Sequence, residues 1–345
     1  MEVRYLEHIR RNSADWPNVI SMLADNNIKL DDAVEETYGY YKGSQLIGTA
    51  STCENTIRSI AVRRAYQGTN TIAEMLGEVM ALLYEKGFQN LFIYTKCENA
   101  ETFKHIGFFE VERVEPDVIL LERQPNGIGS YTHYLTAFKV PYDNIGCIVM
   151  NANPFTLGHL YLVETAAAAC DFLYIFVVAA EHSVFSYEDR YKLIIDGTAH
   201  LKNVMVIHGG QYMISDATFP NYFLKNESQS TQIQALLDLK IFSRYFTKAL
   251  NITKRFIGEE PYCKTTRQYN DTMKALLPEK GVKVIEIQRK TFEGDAISAS
   301  SVRNLLKQGN VEEASKRVPL STANFFKTPR GKETIRRIKQ STSRH

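Results

Sequence analysis

The segment that most constrains the fold of this chain is an apolar run followed by a turn and the start of a helix. Ile145–Met150 has the composition of a buried strand, and the turn formers Asn151, Asn153 and Pro154 come directly after it. A helical pattern then opens at Thr156. A buried strand that leads onto a helix N-terminus presents unpaired backbone N–H groups, and such groups bind anions. The segment therefore predicts a phosphate site.

The same alternation of strands and helices continues to the end of the chain. We predict strands at Ile145–Met150, Phe172–Val178, Val204–His208, Arg255–Gly258 and Val282–Gln288, and helices at His159–Cys170, Glu188–His200, Gln232–Leu250, Gln268–Leu277, Ser298–Lys307 and Val311–Arg317. This rhythm is typical of an α/β domain with a mostly parallel sheet and helices on both faces. Ligands of such sheets bind at the carboxyl ends of strands, which is where the predicted phosphate site falls.

The first 123 residues form a separate pattern of strands and helices. A hairpin is predicted from Tyr38–Tyr41 and Leu46–Cys53, and a helix at Ala73–Tyr84 carries apolar residues on one face. The segment 124–130, QPNGIGS, is rich in turn formers and is the strongest linker signal. We therefore expect a first domain at 1–124, a linker at 125–143 and a second domain at 144–345 that ends in a helical tail.

Composition and charge exclude several classes of protein. The net charge is only +2, which gives no global field for nucleic acid, and the basic residues of 327–344 are expected to be solvated. Five cysteines without C-x-x-C spacing favour a reducing cytoplasm over a disulfide framework. The apolar window Val163–Ala180 is interrupted by Glu164 and Asp171, so it predicts a helix feeding a strand rather than a membrane span. We expect a cytoplasmic protein with no membrane partner.

A second hydroxyl-rich helix start follows the last predicted strand of the sheet. The segment 297–303, ISASSVR, places serines in the first turn of a helix and Arg303 on the next. One interpretation is a capping box, with Ser298 or Ser300 as the cap and Arg303 exposed. The other is a second phosphate clamp. The two interpretations are compatible.

These two segments together resemble the nucleotidyltransferase superfamily, whose motifs are (H/T)-x-G-H and I-S-(S/A)-(S/T)-x-x-R. The resemblance implies a Rossmann-like domain that binds ATP with Mg²⁺ and transfers a nucleotidyl group. It assigns catalytic roles to Thr156 and His159, which contact the triphosphate near the transferred phosphorus, and to Arg303, which binds phosphate from the other side together with Ser298 and Ser300. Nucleotide-binding roles fall to Asn153, Phe155, Gly158, Ser298, Ser300 and Ser301. No metal ligand is assigned, since in-line attack on phosphorus needs mainly positioning and charge neutralisation.

Four longer segments resemble the citrate (pro-3S)-lyase ligase family more closely. They are MNANPFTLGH at 150–159, FSYEDR at 185–190, SDATFPNYFLK at 215–225 and GEEPYCKTTR at 258–267. The resemblance implies that acetate is activated as acetyl adenylate. The acetyl group then passes to the thiol of the CoA-like prosthetic group on citrate lyase acyl carrier protein.

Within these segments four residues are further site candidates. Arg190 is expected to reach a phosphate or adenylate, and Lys225 to act as a catalytic cation for the carboxylate or the leaving pyrophosphate. Gly258 and Glu259 follow a strand, so their backbone is expected to line the adenine pocket. Each candidate also has an interpretation without a functional role. Asp189-Arg190 is a common helix start, 216–225 can be a surface loop, and Glu259 can simply be solvated.

The first domain resembles the GNAT acetyltransferase fold, through Ile60-Ala-Val62, Tyr66-Gln-Gly68 and KHIGFF at 104–109. In that fold a Q/R-x-x-G-x-G/A loop binds the pyrophosphate of acetyl-CoA. Here Asn70 and Ile72 replace the small residues, and an isoleucine side chain would crowd a phosphate. We therefore expect this mixed-sheet domain to recognise the CoA-like arm of the carrier protein, or to dock that partner.

Three functions remain open at this point. The first is the acid–thiol ligase, acting on citrate lyase acyl carrier protein or on a related carrier. The second is a nucleotidyltransferase acting on a phosphorylated cofactor precursor. The third is a non-enzymatic sensor of CoA, which would have no need of two phosphate clamps.

Overall fold

The structure is a computed structural model that describes residues 3–31, 33–179, 183–213, 219, 227–261, 263–292 and 295–340. The chain divides into two compact units. The first comprises Met1–Ser130 with Asp216–Leu237, and the second comprises Tyr131–Ser215 with Asp238–His345. The domain bounds 1–124 and 144–345 stay a prediction. The first compact unit extends to Ser130 and also includes the later segment Asp216–Leu237.

The first unit is built on seven strands. They are β1 Arg4–His8, β2 Glu36–Lys42, β3 Gln45–Cys53, β4 Thr56–Val62, β5 Phe92–Thr95, β6 Phe109–Val114 and β7 Val118–Glu122. In the described part of this unit, the helices α1 Trp16–Asp25, α2 Thr71–Glu85 and α3 Ala100–His105 accompany the strands. The predicted hairpin is present as β2 and β3, and the predicted helix as α2. The short strand β1 and the helix α1 were not predicted.

The sheet of the first unit is mixed. Its order is β1-β2-β3-β4-β5-β7-β6, and β4 with β5 is the parallel pair. That pair is in register at Thr56 with Phe92 and at Ile57 with Ile93, and beyond these residues the two strands separate. The apolar face of α2 packs on this sheet, with Val79 and Leu83 buried. The mixed sheet with this strand order confirms the acetyltransferase-like fold expected for the first domain.

The second unit contains the parallel sheet. Its strands are β8 Ile145–Met150, β9 Phe172–Val177, β10 Val204–His208, β11 Lys254–Gly258 and β12 Lys283–Ile287, and a small hairpin follows as β13 Thr291–Phe292 and β14 Asp295–Ala296. The helices are α4 Gly127–Thr136, α5 Leu157–Ala168, α6 Tyr187–Thr198, α7 Glu227–Ile241, α8 Thr247–Leu250, α9 Lys264–Glu279, α10 Ala299–Lys307, α11 Val311–Ser315, α12 Leu320–Lys327 and α13 Pro329–Gln340, of which α4 and α7 also extend into the first unit. One π-helical turn, Phe242–Phe246, joins α7 to α8.

The strand order β10-β9-β8-β11-β12 is fully parallel and confirms the predicted α/β, Rossmann-like fold. The chain order reverses between β8 and β11, and ligands of open parallel sheets bind at such a switch point. Within the window predicted to be a helix feeding a strand, residues 163–168 form the end of α5 and residues 172–177 form β9, as expected from its composition. In the described part of the chain, no helix is long and apolar enough to cross a membrane.

Two parts of the chain differ from the sequence prediction. The expected linker 125–143 contains the helix α4, although Gly127 and Gly129 made it read as a loop. The basic C-terminal segment, expected to be solvated, forms α13, whose Ile335 and Ile338 are buried in the core of the second unit. Charged residues flank these two isoleucines in the sequence, so the composition of the segment is polar although one face of its helix is apolar.

Candidate active site

The loop that leaves the central strand β8 is held in a compact turn. Ala152 is buried in the left-handed region, with φ at 49°. Phe155 is fully buried, and its carbonyl oxygen accepts a hydrogen bond from the Thr322 hydroxyl on α12 at 2.9 Å. The helix α5 begins next, with Thr156 as its N-cap. The turn therefore fixes where the first turn of α5 points.

Thr156 and His159 cap this helix reciprocally. The Thr156 hydroxyl accepts from the backbone N–H of His159 at 3.3 Å. In return, the backbone N–H of Thr156 donates to His159 Nδ1 at 3.1 Å, so Nδ1 is unprotonated and Nε2 carries the proton. Burial lowers the pKa of His159 to about 4, and the nearby Arg289 cation adds to the effect. His159 is therefore a neutral imidazole whose Nε2–H is a hydrogen-bond donor.

Only part of the first turn of α5 is available for an anion. The N–H of Leu157 donates to the Arg317 carbonyl oxygen at 3.0 Å, and the N–H of His159 is bonded to Thr156. The remaining donor of the turn, the N–H of Gly158, has no acceptor among the residues that the structure describes. The predicted phosphate site thus retains one first-turn backbone donor beside the His159 imidazole.

Gly158 lies against the second motif. A Cβ at this position would come within 2.9 Å of the Ile297 carbonyl oxygen. The absence of a side chain therefore allows α5 to approach the segment that starts α10. A nucleotide-binding role for Gly158 stays a prediction, and the close approach that its lack of a side chain allows in the structure is to Ile297.

The serines of the second motif divide into two roles. Ser298 caps α10 by accepting from the N–H of Ser301 at 3.0 Å, and the Ser301 hydroxyl donates to the Ser298 carbonyl oxygen at 2.8 Å. The capping interpretation is therefore confirmed for these two residues, and their hydroxyls are engaged within the helix. Ser300 is exposed, and its hydroxyl accepts from Arg303 at 3.2 Å.

Arg303 joins the two motifs. Its Nη1 donates to the carbonyl oxygen of Asn153 at 2.6 Å, and the guanidinium is half-buried rather than exposed. Burial lowers the pKa of this guanidinium from its ordinary value, which is so high that the group stays charged. Asn153 is itself fixed, because its side-chain oxygen accepts from the N–H of Phe185 at 3.1 Å. Residues 150 positions apart in the chain thus meet at one site.

Comparison with known proteins gives a match to a family model and matches to individual relatives. The model of the citrate lyase ligase C-terminal domain matches residues 145–326. The chain is 36% identical to [Citrate [pro-3S]-lyase] ligase of Escherichia coli (strain K12) over 92% of both proteins. It is also 40% identical to the ligase of the same name from Klebsiella pneumoniae, over 82% of this chain and 84% of that protein.

The chain belongs to the citrate lyase ligase family. A GNAT family acetyltransferase from Elizabethkingia anophelis with acetyl-CoA bound matches 35% of this chain and 97% of its own length, with 15% identity and a TM-score of 0.28. The fold of the first unit is defined by its own strand order, β1-β2-β3-β4-β5-β7-β6.

In this member of the citrate lyase ligase family, Arg190 lies inside the protein. It is fully buried, and its guanidinium donates to the carbonyl oxygens of Asn151 at 2.8 Å, Val178 at 2.9 Å and Phe185 at 3.2 Å. Asn151 and Val178 directly follow β8 and β9. Arg190 therefore connects the ends of these two strands, and its expected contact with a phosphate or adenylate stays a prediction.

The remaining candidates in the segments that resemble the ligase family are Gly258, Glu259 and Lys225. Gly258 ends β11, and its carbonyl oxygen accepts from the Asn270 side chain at 3.1 Å. Glu259 is exposed, and its N–H donates to the Ile287 carbonyl oxygen at 2.9 Å, so its backbone lies at the carboxyl ends of β11 and β12. Lys225 lies outside the described residues.

Arg289 is a site residue that the sequence reasoning missed. It lies two residues beyond the end of β12, and its Nε donates to the Glu259 carbonyl oxygen at 2.7 Å. Its guanidinium also forms an ion pair with Glu260. Since its charge lowers the pKa of His159, it contributes positive potential to the site. A cation directly after a predicted strand of the parallel sheet was the available signal.

A dedicated metal site is not part of the described structure. Among the residues described, no group of three or more histidine, cysteine, aspartate or glutamate side chains could hold a metal ion. The assembled donors are instead a guanidinium, a neutral imidazole and backbone N–H groups. Such donors suit an anion with its own charge-balancing cation.

Proposed function

We propose that this protein is an ATP-dependent acid–thiol ligase that activates acetate as acetyl-AMP. It then acetylates the prosthetic-group thiol of citrate lyase acyl carrier protein and releases AMP and pyrophosphate. The observation that carries the proposal is the hydrogen bond from Arg303 to Asn153 at 2.6 Å, which brings the two phosphate-binding motifs into one site. The names of the relatives, [Citrate [pro-3S]-lyase] ligase, supply the partner.

In the first step an acetate oxygen attacks the α-phosphorus of ATP. The new P–O bond forms as the bond to the β-phosphate bridging oxygen breaks, and pyrophosphate leaves with that electron pair. Acetate is already ionised near neutral pH, so this step needs no general base. Its catalysis depends on positioning and on stabilising negative charge around phosphorus.

The described donors suit that task. His159, neutral and protonated at Nε2, donates a hydrogen bond to a phosphate oxygen without needing a proton transfer. Arg303 supplies a cation, and Ser300 orients it. The N–H of Gly158 and the first N–H groups of α10 complete the anion site. Mg²⁺, bound to the triphosphate oxygens, would neutralise charge on the pyrophosphate.

In the second step the carrier thiol attacks the acyl carbon of acetyl-AMP. The C–S bond forms, the C–O bond breaks as AMP leaves with its electron pair, and the thiol proton is released to solvent. A cleft of about 400 Å³ in the first unit, between the diverging strands β4 and β5, suits the CoA-like arm of the carrier. Val62, Gln67 and Thr95 are among the residues that line it. Ile72 also lies in this cleft, as expected from its place in the loop sequence.

The complete reaction tests the proposal. The protein is incubated with ATP, Mg²⁺, acetate and deacetylated citrate lyase acyl carrier protein, and acetyl-thioester, AMP and pyrophosphate are measured together. The proposal predicts equal amounts of the three products. Release of ADP and phosphate instead, or pyrophosphate release that needs a phosphorylated cofactor precursor and not acetate, would overturn it.

A further inference from the structure

A small cavity in the second unit lies beside the proposed nucleotide loop. Its volume is about 180 Å³, and its lining includes Met150 and Asn151 at the end of β8 and Val178 just after β9. A water molecule in the liquid occupies about 30 Å³, so the space suits a ligand of only a few non-hydrogen atoms. Asn151 is exposed and links this cavity to the loop that carries Thr156 and His159.

The wall of the cavity contains a buried cation. Arg255, on β11 next to the central strand β8, is 4% exposed. Its Nη1 lies 3.4 Å from the Cys147 sulfur, a weak acceptor, and its Nε has no hydrogen-bond partner among the described residues. No carboxylate of the described chain forms an ion pair with it. A buried guanidinium without a carboxylate or carbonyl partner is costly, so a ligand that pairs with it is favoured.

The wall of the same cavity also contains an acidic group. Asp238 belongs to the lining, and its carboxylate accepts a hydrogen bond from the hydroxyl of Tyr269, a further lining residue. Among the described residues no ion pair joins Asp238 to Arg255. Arg255 is the cation of the described lining and is the group that can pair with a small anion.

The remaining wall is apolar and aromatic. The π-helical turn Phe242–Phe246 places both of its terminal phenylalanines on the cavity, and the Arg255 guanidinium lies 4.7 Å from the Phe242 ring centroid. π-Helical turns are often found at functional sites. A cavity with one guanidinium and two phenyl rings matches a carboxylate that carries a short apolar group.

We infer that this cavity binds the short-chain carboxylate substrate, with one carboxylate oxygen on Arg255 and the methyl group against Phe242 and Phe246. The inference rests on the proposed function, because it identifies the carboxylate subsite of that reaction. One carboxylate oxygen paired with the guanidinium leaves the other to attack the α-phosphorus. The volume limits the acid to a few carbon atoms.

Substitution of the cation tests this subsite. Arg255→Gln is expected to raise the KM for acetate about 100-fold in acetate-dependent ATP–pyrophosphate exchange, because it removes one partner of a buried charge pair. The KM for ATP should stay within about twofold, as expected for an independent subsite. Lys254→Gln, the neighbouring charge removal on β11, is the control and should leave both constants unchanged. An unchanged KM for acetate in folded Arg255→Gln would overturn the inference.

A second variant keeps the test independent of how Arg255→Gln folds. Phe242→Ala enlarges the cavity, so the ratio of kcat/KM for butyrate to that for acetate should rise about tenfold or more, as one extra methylene in an apolar pocket contributes roughly 1–3 kcal/mol. An unchanged ratio would contradict the subsite.

Failure of the proposed function gives a different result. If the wild-type protein shows no acetate-dependent exchange, the function is wrong, and binding of acetate alone then tests the cavity. An acetate-induced rise in Tm that is lost in Arg255→Gln would still support the subsite, since a ligand that binds only the folded state stabilises it. The absence of that rise in the wild type would overturn it.

Discussion

The guanidinium of Arg303 donates to the carbonyl oxygen of Asn153 at 2.6 Å, joining the start of α10 to the loop after β8. This bond holds a cation beside the first turn of α5. The close approach of Gly158 to Ile297 holds the same two segments together through the backbone. Two short motifs, each weak by itself, therefore lie together in the folded chain, as the proposed anion site requires.

Arg303→Ala is expected to lower kcat for ATP–pyrophosphate exchange about 100-fold or more, because it removes a cation that stabilises charge in the transition state. The KM for ATP should change much less. Lys307→Gln removes an exposed charge one turn further along α10 and serves as the matched control. Exchange at the wild-type rate in Arg303→Ala would contradict the assigned role.

Gly158→Ala tests the contact between the motifs. The added Cβ would come within 2.9 Å of the Ile297 carbonyl oxygen, and backbone cannot move aside as easily as a flexible side chain. We expect a loss of about 2 kcal/mol in the free energy of unfolding, typical of overpacking, and reduced exchange activity. Gly77→Ala on α2, where a Cβ meets nothing within 4 Å, is the control. Equal behaviour of the two variants would argue against a required close approach.

His159 should make stability depend on pH. Its pKa is lowered from 6.5 to about 4 in the folded protein, so between these values the unfolded chain binds more protons. The stabilising contribution is present above the unfolded pKa and is lost as the pH falls towards the folded one. It amounts to at most about 3 kcal/mol.

The variant His159→Asn isolates this effect, because its side-chain oxygen can still accept from Thr156. Urea unfolding of both proteins at about pH 7 and about pH 4.5 gives the difference in their unfolding free energies. The wild type should lose more unfolding free energy than His159→Asn when the pH is lowered from about 7 to about 4.5. A difference independent of pH would show that His159 titrates normally.

The cleft between β4 and β5 should affect only the second step. Thr95→Trp fills part of this cleft, so the KM for the carrier protein should rise about tenfold, as expected when a bound group loses its space. Exchange without the carrier should be unchanged. Tyr84→Trp, at an exposed site on α2, is the control. If Thr95→Trp leaves the KM for the carrier protein unchanged, the arm does not bind there.

The sequence predicted most of the fold because its strands are unambiguous. Ile145–Met150 and Val204–His208 have the bounds that their apolar runs indicate. The helix α4 was harder to predict because glycines interrupt it. A helical tail was predicted, but the burial of one face of α13 was not, because that face consists of few apolar residues among charged ones. Local composition does not report the tertiary contact that stabilises such a helix.

The motifs of the site were also predictable, but the use of each polar atom was not. The capping role of Ser298 was anticipated, but the part of Ser301 in that cap and the bonds of Arg190 to backbone carbonyl oxygens were not. Which acceptor a side chain meets depends on tertiary packing. Arg255 and Arg289 escaped prediction for the same reason, since each belongs to the site only through segments distant in sequence.

The most direct test of the central claim is exchange of labelled pyrophosphate into ATP without carrier protein, measured with acetate, propionate, malonate or no acid. We predict exchange that requires acetate, tolerates propionate less well and is absent with malonate or without acid. In Arg303→Ala the acetate-dependent rate should fall about 100-fold. Exchange that proceeds equally without any carboxylate, or none with acetate, would contradict the activation of a carboxylate at this site.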